Sequence, residues 1–131
     1  MSELYKRIVK ILVALVLIGF PFHLCYISRM NKISREPLTD PQVEAVLPEL
    51  SGWAYTGHKL LKTFQFKSFR DALAFIVRLG LEAEGMDHHP EIKNVYNKVD
   101  LALNTHDAGG RVTALDVELA RRINKLPVSA S

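Results

Sequence analysis

Between Glu84 and His106 the sequence carries three histidines, His88, His89 and His106, together with the carboxylates Glu84 and Asp87. Histidine is the side chain whose ordinary pKa lies near neutrality, so a cleft holding several can both give and take protons at cellular pH. Glu84 and His88 are four residues apart, the separation at which side chains meet on one helix face. If helical geometry persists to His88, the carboxylate fixes the tautomer of the imidazole and favours its charged form, and the negative end of the helix dipole acts in the same direction. Each residue also has a plainer use. Glu84, His88 and His89 alone would read as a solvated helix end, and His106 alone as a surface loop residue; their coincidence is what points to acid/base chemistry. Zinc competes for the same side chains. Adjacent residues of an extended chain point in opposite directions, so His88 and His89 would not share one ion, and with a single cysteine the thiolate pairs of structural zinc sites are absent. No metal is expected.

These residues need elements to position them. Ser68 followed by Asp71 predicts a helix start, and Leu73, Ile76, Val77 and Leu81 fall at helical spacing as its buried face, over about 17 residues toward Gly85. Pro90 prevents continuation past His89 and leaves the histidine pair just beyond the helix end. Ile92–Tyr96 and Val99–Thr105 predict two strands joined through Asn97-Lys98, with Tyr96 mid-strand as a packing residue. His106 then ends a strand, directly before Asp107-Ala108-Gly109-Gly110, whose glycines would let backbone amides approach a polar ligand. The loop lacks the lysine of a phosphate-binding loop. Thr113 with Asp116 predicts the cap of a last helix whose apolar face is Leu115, Leu119, Ala120 and Ile123. Upstream, Asp40-Pro41 starts a short helix through about Leu47, limited by Pro48. Trp53–Thr56, a Gly57-His58 turn and Lys59–Phe66 predict a hairpin with Phe64 and Phe66 buried and Trp53 in the core. The sum is an α+β domain: a four-stranded antiparallel sheet with helices packed on one face.

With 131 residues and 48% hydrophobic composition, the chain holds one domain with a real core, placed at residues 30–131. The formal charge of +3 belongs to residues 1–29, because residues 30–131 carry 13 basic and 13 acidic side chains. A neutral body without a basic stripe argues against direct nucleic-acid binding. Cys25 is the lone cysteine, so no intrachain disulfide forms. Residues 1–29 contain the unbroken apolar run Ile11–Phe22, which includes Pro21 and is followed by His23, and stay open between an upstream start with the domain beginning at Met30, a membrane anchor across residues 8–27 and a cleaved signal.

The series Glu84, His88-His89-Pro90, Tyr96, His106 and Asp116, with the text Asn94-Val95-Tyr96-Asn97-Lys98-Val99 and Thr105-His106-Asp107-Ala108-Gly109-Gly110, closely resembles the pterin-4a-carbinolamine dehydratases. The likeness runs from about Leu38 to Ile123. It implies a four-stranded antiparallel sheet with helices on one side, and removal of water from 4a-hydroxytetrahydrobiopterin to give quinonoid dihydrobiopterin, in tetrahydrobiopterin recycling and without metal or organic cofactor. By matching positions, it implies His88 and His106 as the acid/base pair and His89 as a pterin-binding residue. Glu84 would orient and charge His88, and Asp87 would line the site. Asn104, Thr105, His106 and Asp107 would contact the pterin, with the backbone around Thr105 reading its amide edge. Asp116 would be a supporting residue or simply a helix cap.

Two departures stand out. Ile92 occupies a position where family members often carry tryptophan, and the segment from His106 to Asp116 is one residue longer around Arg111-Val112. The resemblance further implies a homo-dimer or homo-tetramer, an aromatic amino acid hydroxylase supplying the pterin, and a cytoplasmic place of work. An alternative from another class is a non-catalytic protein-binding or assembly module of the same fold, and a third is a membrane-tethered variant.

Overall fold

The computed structural model describes residues 33–127; the apolar segment, Cys25, the Met30 start and the anchor across residues 8–27 lie outside them. Helix α1, Asp40–Val46, is capped by Thr39 rather than Asp40, with the Thr39 N–H and Oγ1 both donating to Gln42 Oε1 at 2.8 and 3.0 Å. Pro48 turns the next residues into a 3-10 helix, Leu47–Glu49. Strands β1, Ala54–Thr56, and β2, Lys59–Gln65, form the expected hairpin. Gly57 and His58 take φ of 59° and 62°, the paired left-handed values of a two-residue turn that matches strand twist.

Helix α2, Phe69–Gly85, begins where Ser68 Oγ accepts from the Asp71 N–H at 3.2 Å. Strands β3, Glu91–Val95, and β4, Lys98–Leu103, follow, and α3, Ala114–Lys125, closes the described chain. All pairings are antiparallel, in the order β1-β2-β4-β3. The β3–β4 turn is Tyr96-Asn97, one residue earlier than the sequence suggested. Asn97 fixes it, because its Nδ2 donates to the Phe66 carbonyl at 2.7 Å while the Phe66 N–H donates to the Asn97 carbonyl at 2.8 Å. Tyr96 is therefore an exposed turn residue with φ 52°, not a packed strand residue.

One sheet face is covered. Leu60 and Phe64 of β2 and Val99, Leu101 and Leu103 of β4 are buried with Leu119, Ala120 and Ile123 of α3. Each large apolar side chain so buried contributes about 1.5–3 kcal/mol. Helix α2 buries Ala72, Phe75, Leu79 and Ala83, and the Phe75 ring lies 4.6 Å from Phe64 and 5.1 Å from Phe66 between centroids. This corrects the expected face. Of Leu73, Ile76, Val77 and Leu81, only Ile76 packs partly on the core, while Leu73, Val77 and Leu81 are 44, 63 and 72% exposed. Trp53 is core as expected, and its Nε1 donates to Asn124 Oδ1 at 3.0 Å. Lys62 Nζ reaches the same oxygen and the Ser51 carbonyl, both at 2.7 Å, so β2 is tied to α3; burial lowers the Lys62 pKa. Among the described residues no helix is long and apolar enough to cross a membrane.

Candidate active site

The C-terminus of α2 decides where the histidines go. The Asp87 N–H donates to the Glu84 carbonyl and the His88 N–H to the Ala83 carbonyl, both at 3.1 Å, which is the hydrogen-bond pair of a Schellman motif. Glycine usually occupies the left-handed position of that motif; here it is Asp87, with φ 49°. The chain reverses at Asp87, so helical i, i+4 geometry ends before His88. Glu84 does not meet His88. Its Oε2 accepts from His89 Nε2 at 2.9 Å in an exposed pair, and His88 turns inward instead.

His88 is 6% exposed, and its Nε2 lies 2.6 Å from Oδ1 of the fully buried Asp116. Because a carboxylate only accepts, Nε2 is the protonated ring nitrogen in this pair. The other oxygen, Oδ2, accepts from the Thr113 N–H at 2.7 Å, Thr105 Oγ1 at 2.9 Å and Thr113 Oγ1 at 3.2 Å. Asp116 thus caps α3 from its first turn, where the positive end of the helix dipole favours a negative charge, and holds His88 with its second oxygen. The longer segment before it does not displace Asp116 from His88.

His106 heads a 3-10 turn, His106–Ala108, three residues beyond the end of β4, rather than ending the strand. Its side chain is fully exposed, with Nδ1 3.5 Å from Asp107 Oδ1. The Thr105 backbone, expected to read a ligand edge, is engaged within the loop: its N–H donates to the Arg111 carbonyl at 2.9 Å, and its carbonyl accepts from Ala108 and Gly110, both at 3.1 Å. Asn104 Nδ2 likewise donates to the Gly110 carbonyl at 3.1 Å. Gly110 has φ 71°, and a Cβ there would stand 3.4 Å from that Nδ2, so glycine serves both the turn and the contact.

His88, His89 and His106 line one cleft of about 330 Å³ with Asp87, Thr105 and Asp107. Asn104 also borders it, and so does Arg35, which no spacing rule links to residues 87 or 107. Glu84 and Asp116 act on the cleft through His89 and His88. Ile92 is elsewhere. It borders a separate cavity of about 400 Å³ with Leu61, Thr63, Lys93 and Asp100, and does not line the histidine cleft. Among the described residues no three His, Cys, Asp or Glu side chains converge on a metal position. The arrangement suits proton transfer to and from a small ligand: one imidazole backed by a buried carboxylate, one by an exposed carboxylate, and one at the open rim beside Asp107. A few hundred Å³ matches the lower end of small-molecule sites.

The family profile described as Pterin 4 alpha carbinolamine dehydratase matches residues 36–126. A protein of Opitutus terrae, whose name assigns it provisionally to the pterin-4-alpha-carbinolamine dehydratases, is 55% identical over 68% of this chain and 92% of its own length. A relative in Mesorhizobium japonicum with the same provisional name is 49% identical over 70% of this chain and 95% of its own. Among solved structures, a transcriptional coactivator/pterin dehydratase from Brucella melitensis superposes with a TM-score of 0.65 at 38% identity, over 68% of this chain and 96% of that one.

Proposed function

The chain belongs to the pterin 4 alpha carbinolamine dehydratase family, and from that premise we propose that its cleft removes water from 4a-hydroxytetrahydrobiopterin to leave quinonoid dihydrobiopterin. The C4a–O bond breaks, the N5 electron pair closes a C4a=N5 double bond, the hydroxyl leaves as water and the N5 proton goes to a base. Nothing is oxidised or reduced, so the reaction needs one proton donor, one acceptor and no cofactor.

The observation that carries this reading is the His88–Asp116 pair opening onto the same cleft as His106. With Nε2–H committed to Asp116, His88 presents Nδ1 as the base for the N5 proton, and the carboxylate behind it stabilises the imidazolium that forms. His106, exposed at the rim, delivers the proton to the departing hydroxyl. His89, steadied by Glu84, holds the pterin, with Asp87, Asn104, Thr105 and Asp107 around it. Catalysed water loss by this chain, abolished in His88→Ala, is the expected outcome; an undiminished rate in that variant would remove His88 from the chemistry.

In this reading the substrate comes from a hydroxylase that consumes tetrahydrobiopterin, in the cytoplasm, and the enzyme is a homo-dimer or homo-tetramer. The exposed α2 stripe of Phe69, Leu73, Val77 and Leu81 supports self-association. Arg70 flanks its N-terminal end and Glu84 its C-terminal end, so an antiparallel second copy brings opposite charges together. The same stripe would also serve a protein-binding module; what favours the enzyme is that Asp116, beyond capping α3, holds a histidine that lines the cleft with two others.

A further inference from the structure

We propose that Arg35 is a positioning residue for this reaction, a guanidinium strap holding the two histidine-bearing walls of the cleft at their working separation. The role rests on the dehydratase reading, but Arg35 lies just before the segment that matches the family, and the match assigns it nothing. Its Nη2 donates to the Asp87 carbonyl at 3.3 Å and to Asp87 Oδ2 at 3.2 Å, and its Nη1 lies 3.8 Å from Asp107 Oδ2.

Asp87 is the left-handed residue at which α2 ends and from which His88 and His89 depart. Asp107 follows His106 in the opposite wall. The floor of the cleft is tied together by Asp116, which takes His88 from one wall and Thr105 from the other. At the exposed rim, Arg35 spans the same gap.

The strap is itself anchored. Two residues on, Pro37 bridges to Thr113, and the Leu38 N–H donates to the Val112 carbonyl at 2.8 Å. The planar fork of arginine can serve a carbonyl and two carboxylates at once, whereas the single ammonium of lysine cannot hold that geometry. Exposed ion pairs add little to global stability, yet small displacements of reacting groups cost rate steeply. The signature of a strap is therefore a loss of turnover without a loss of folding.

The test uses the full chain and compares it with Arg35→Ala and Arg35→Lys in steady-state dehydration at low and high ionic strength, with thermal melts alongside. In Arg35→Ala, kcat is expected to fall by about tenfold or more while KM changes by less than about threefold and the melt stays in place. Arg35→Lys should recover only part of the loss. Raising salt to about 0.5 M should lower the kcat of the unaltered chain by a larger factor than that of Arg35→Ala, because screening acts in the unaltered chain on pairs the variant lacks. Should Arg35→Ala fail to fold, Arg35→Lys, which keeps the charge and loses the fork, carries the test through the same kcat and melt readings. An unaltered kcat and salt profile in Arg35→Ala, or a loss confined to KM, would overturn the strap. Absence of any acceleration by the unaltered chain is a different result, and overturns the dehydratase reading beneath it.

Discussion

Asp116 is fully buried, and a buried carboxylate persists only when its charge is answered. Here one oxygen faces an imidazole and the other takes two threonine hydroxyls and a backbone amide at a helix start. Asp116→Asn keeps the shape but removes the charge and sets an NH2 group against one of these donors. The expected cost is about 1–3 kcal/mol in urea unfolding. The rate of water loss should fall about a hundredfold or more, because His88 loses the partner that fixes its tautomer. A variant that unfolds like the unaltered chain and keeps its rate would show that the pair matters to neither. The residue types of the site were legible in the sequence, since few surfaces gather three histidines by accident. Their partners were not. Spacing offered Glu84 to His88, and the structure gives Glu84 to His89 because Asp87 adopts a left-handed backbone that no periodicity encodes.

At the scale of elements, α2 carries two apolar stripes, and sequence periodicity could not say which one faces the core. Ala72, Phe75, Leu79 and Ala83 face inward, with the Phe75 ring against Phe64 and Phe66, whereas Leu73, Val77 and Leu81 remain outside. The hairpin at Gly57-His58 was readable because turn chemistry fixes it locally; the Tyr96-Asn97 turn was not, because its determinant, Phe66, is distant in sequence. Another long-range tie joins α1 to the hairpin. The Tyr55 hydroxyl donates to Asp40 Oδ1 at 2.7 Å, and that bond, assisted by His58 and Arg111, holds the Asp40 pKa below its ordinary 3.8. A carboxyl with a depressed folded pKa adds stability that is fully present above the unfolded value and lost as pH falls through the folded one. Asp40→Asn should therefore melt below the unaltered chain at about pH 5, and the gap should close as pH drops below 3.8. A gap independent of pH would assign the effect to packing instead.

For the molecule as a whole, the described residues from Ser34 to Pro127 form one compact unit whose only strongly apolar exposed helix surface is the α2 stripe. Val77→Glu places a charge in the middle of that stripe and should shift the sedimentation of the chain to a smaller species without lowering helicity; unchanged sedimentation would remove α2 from self-association. The α+β class and the confinement of net charge to residues 1–29 could be read directly from composition and pattern. The cleft itself could not, since it is built by Arg35, the α2 terminus and the His106 turn, segments that only the fold brings together. The central claim is that this cleft moves two protons to expel water. The measurement that tests it most directly is dehydration of freshly generated 4a-hydroxytetrahydrobiopterin, followed by absorbance, with the unaltered chain and with His106→Ala. The account predicts rapid loss of the carbinolamine over the spontaneous reaction, reduced about a hundredfold or more in the variant. Spontaneous rates with the folded, unaltered chain would contradict it.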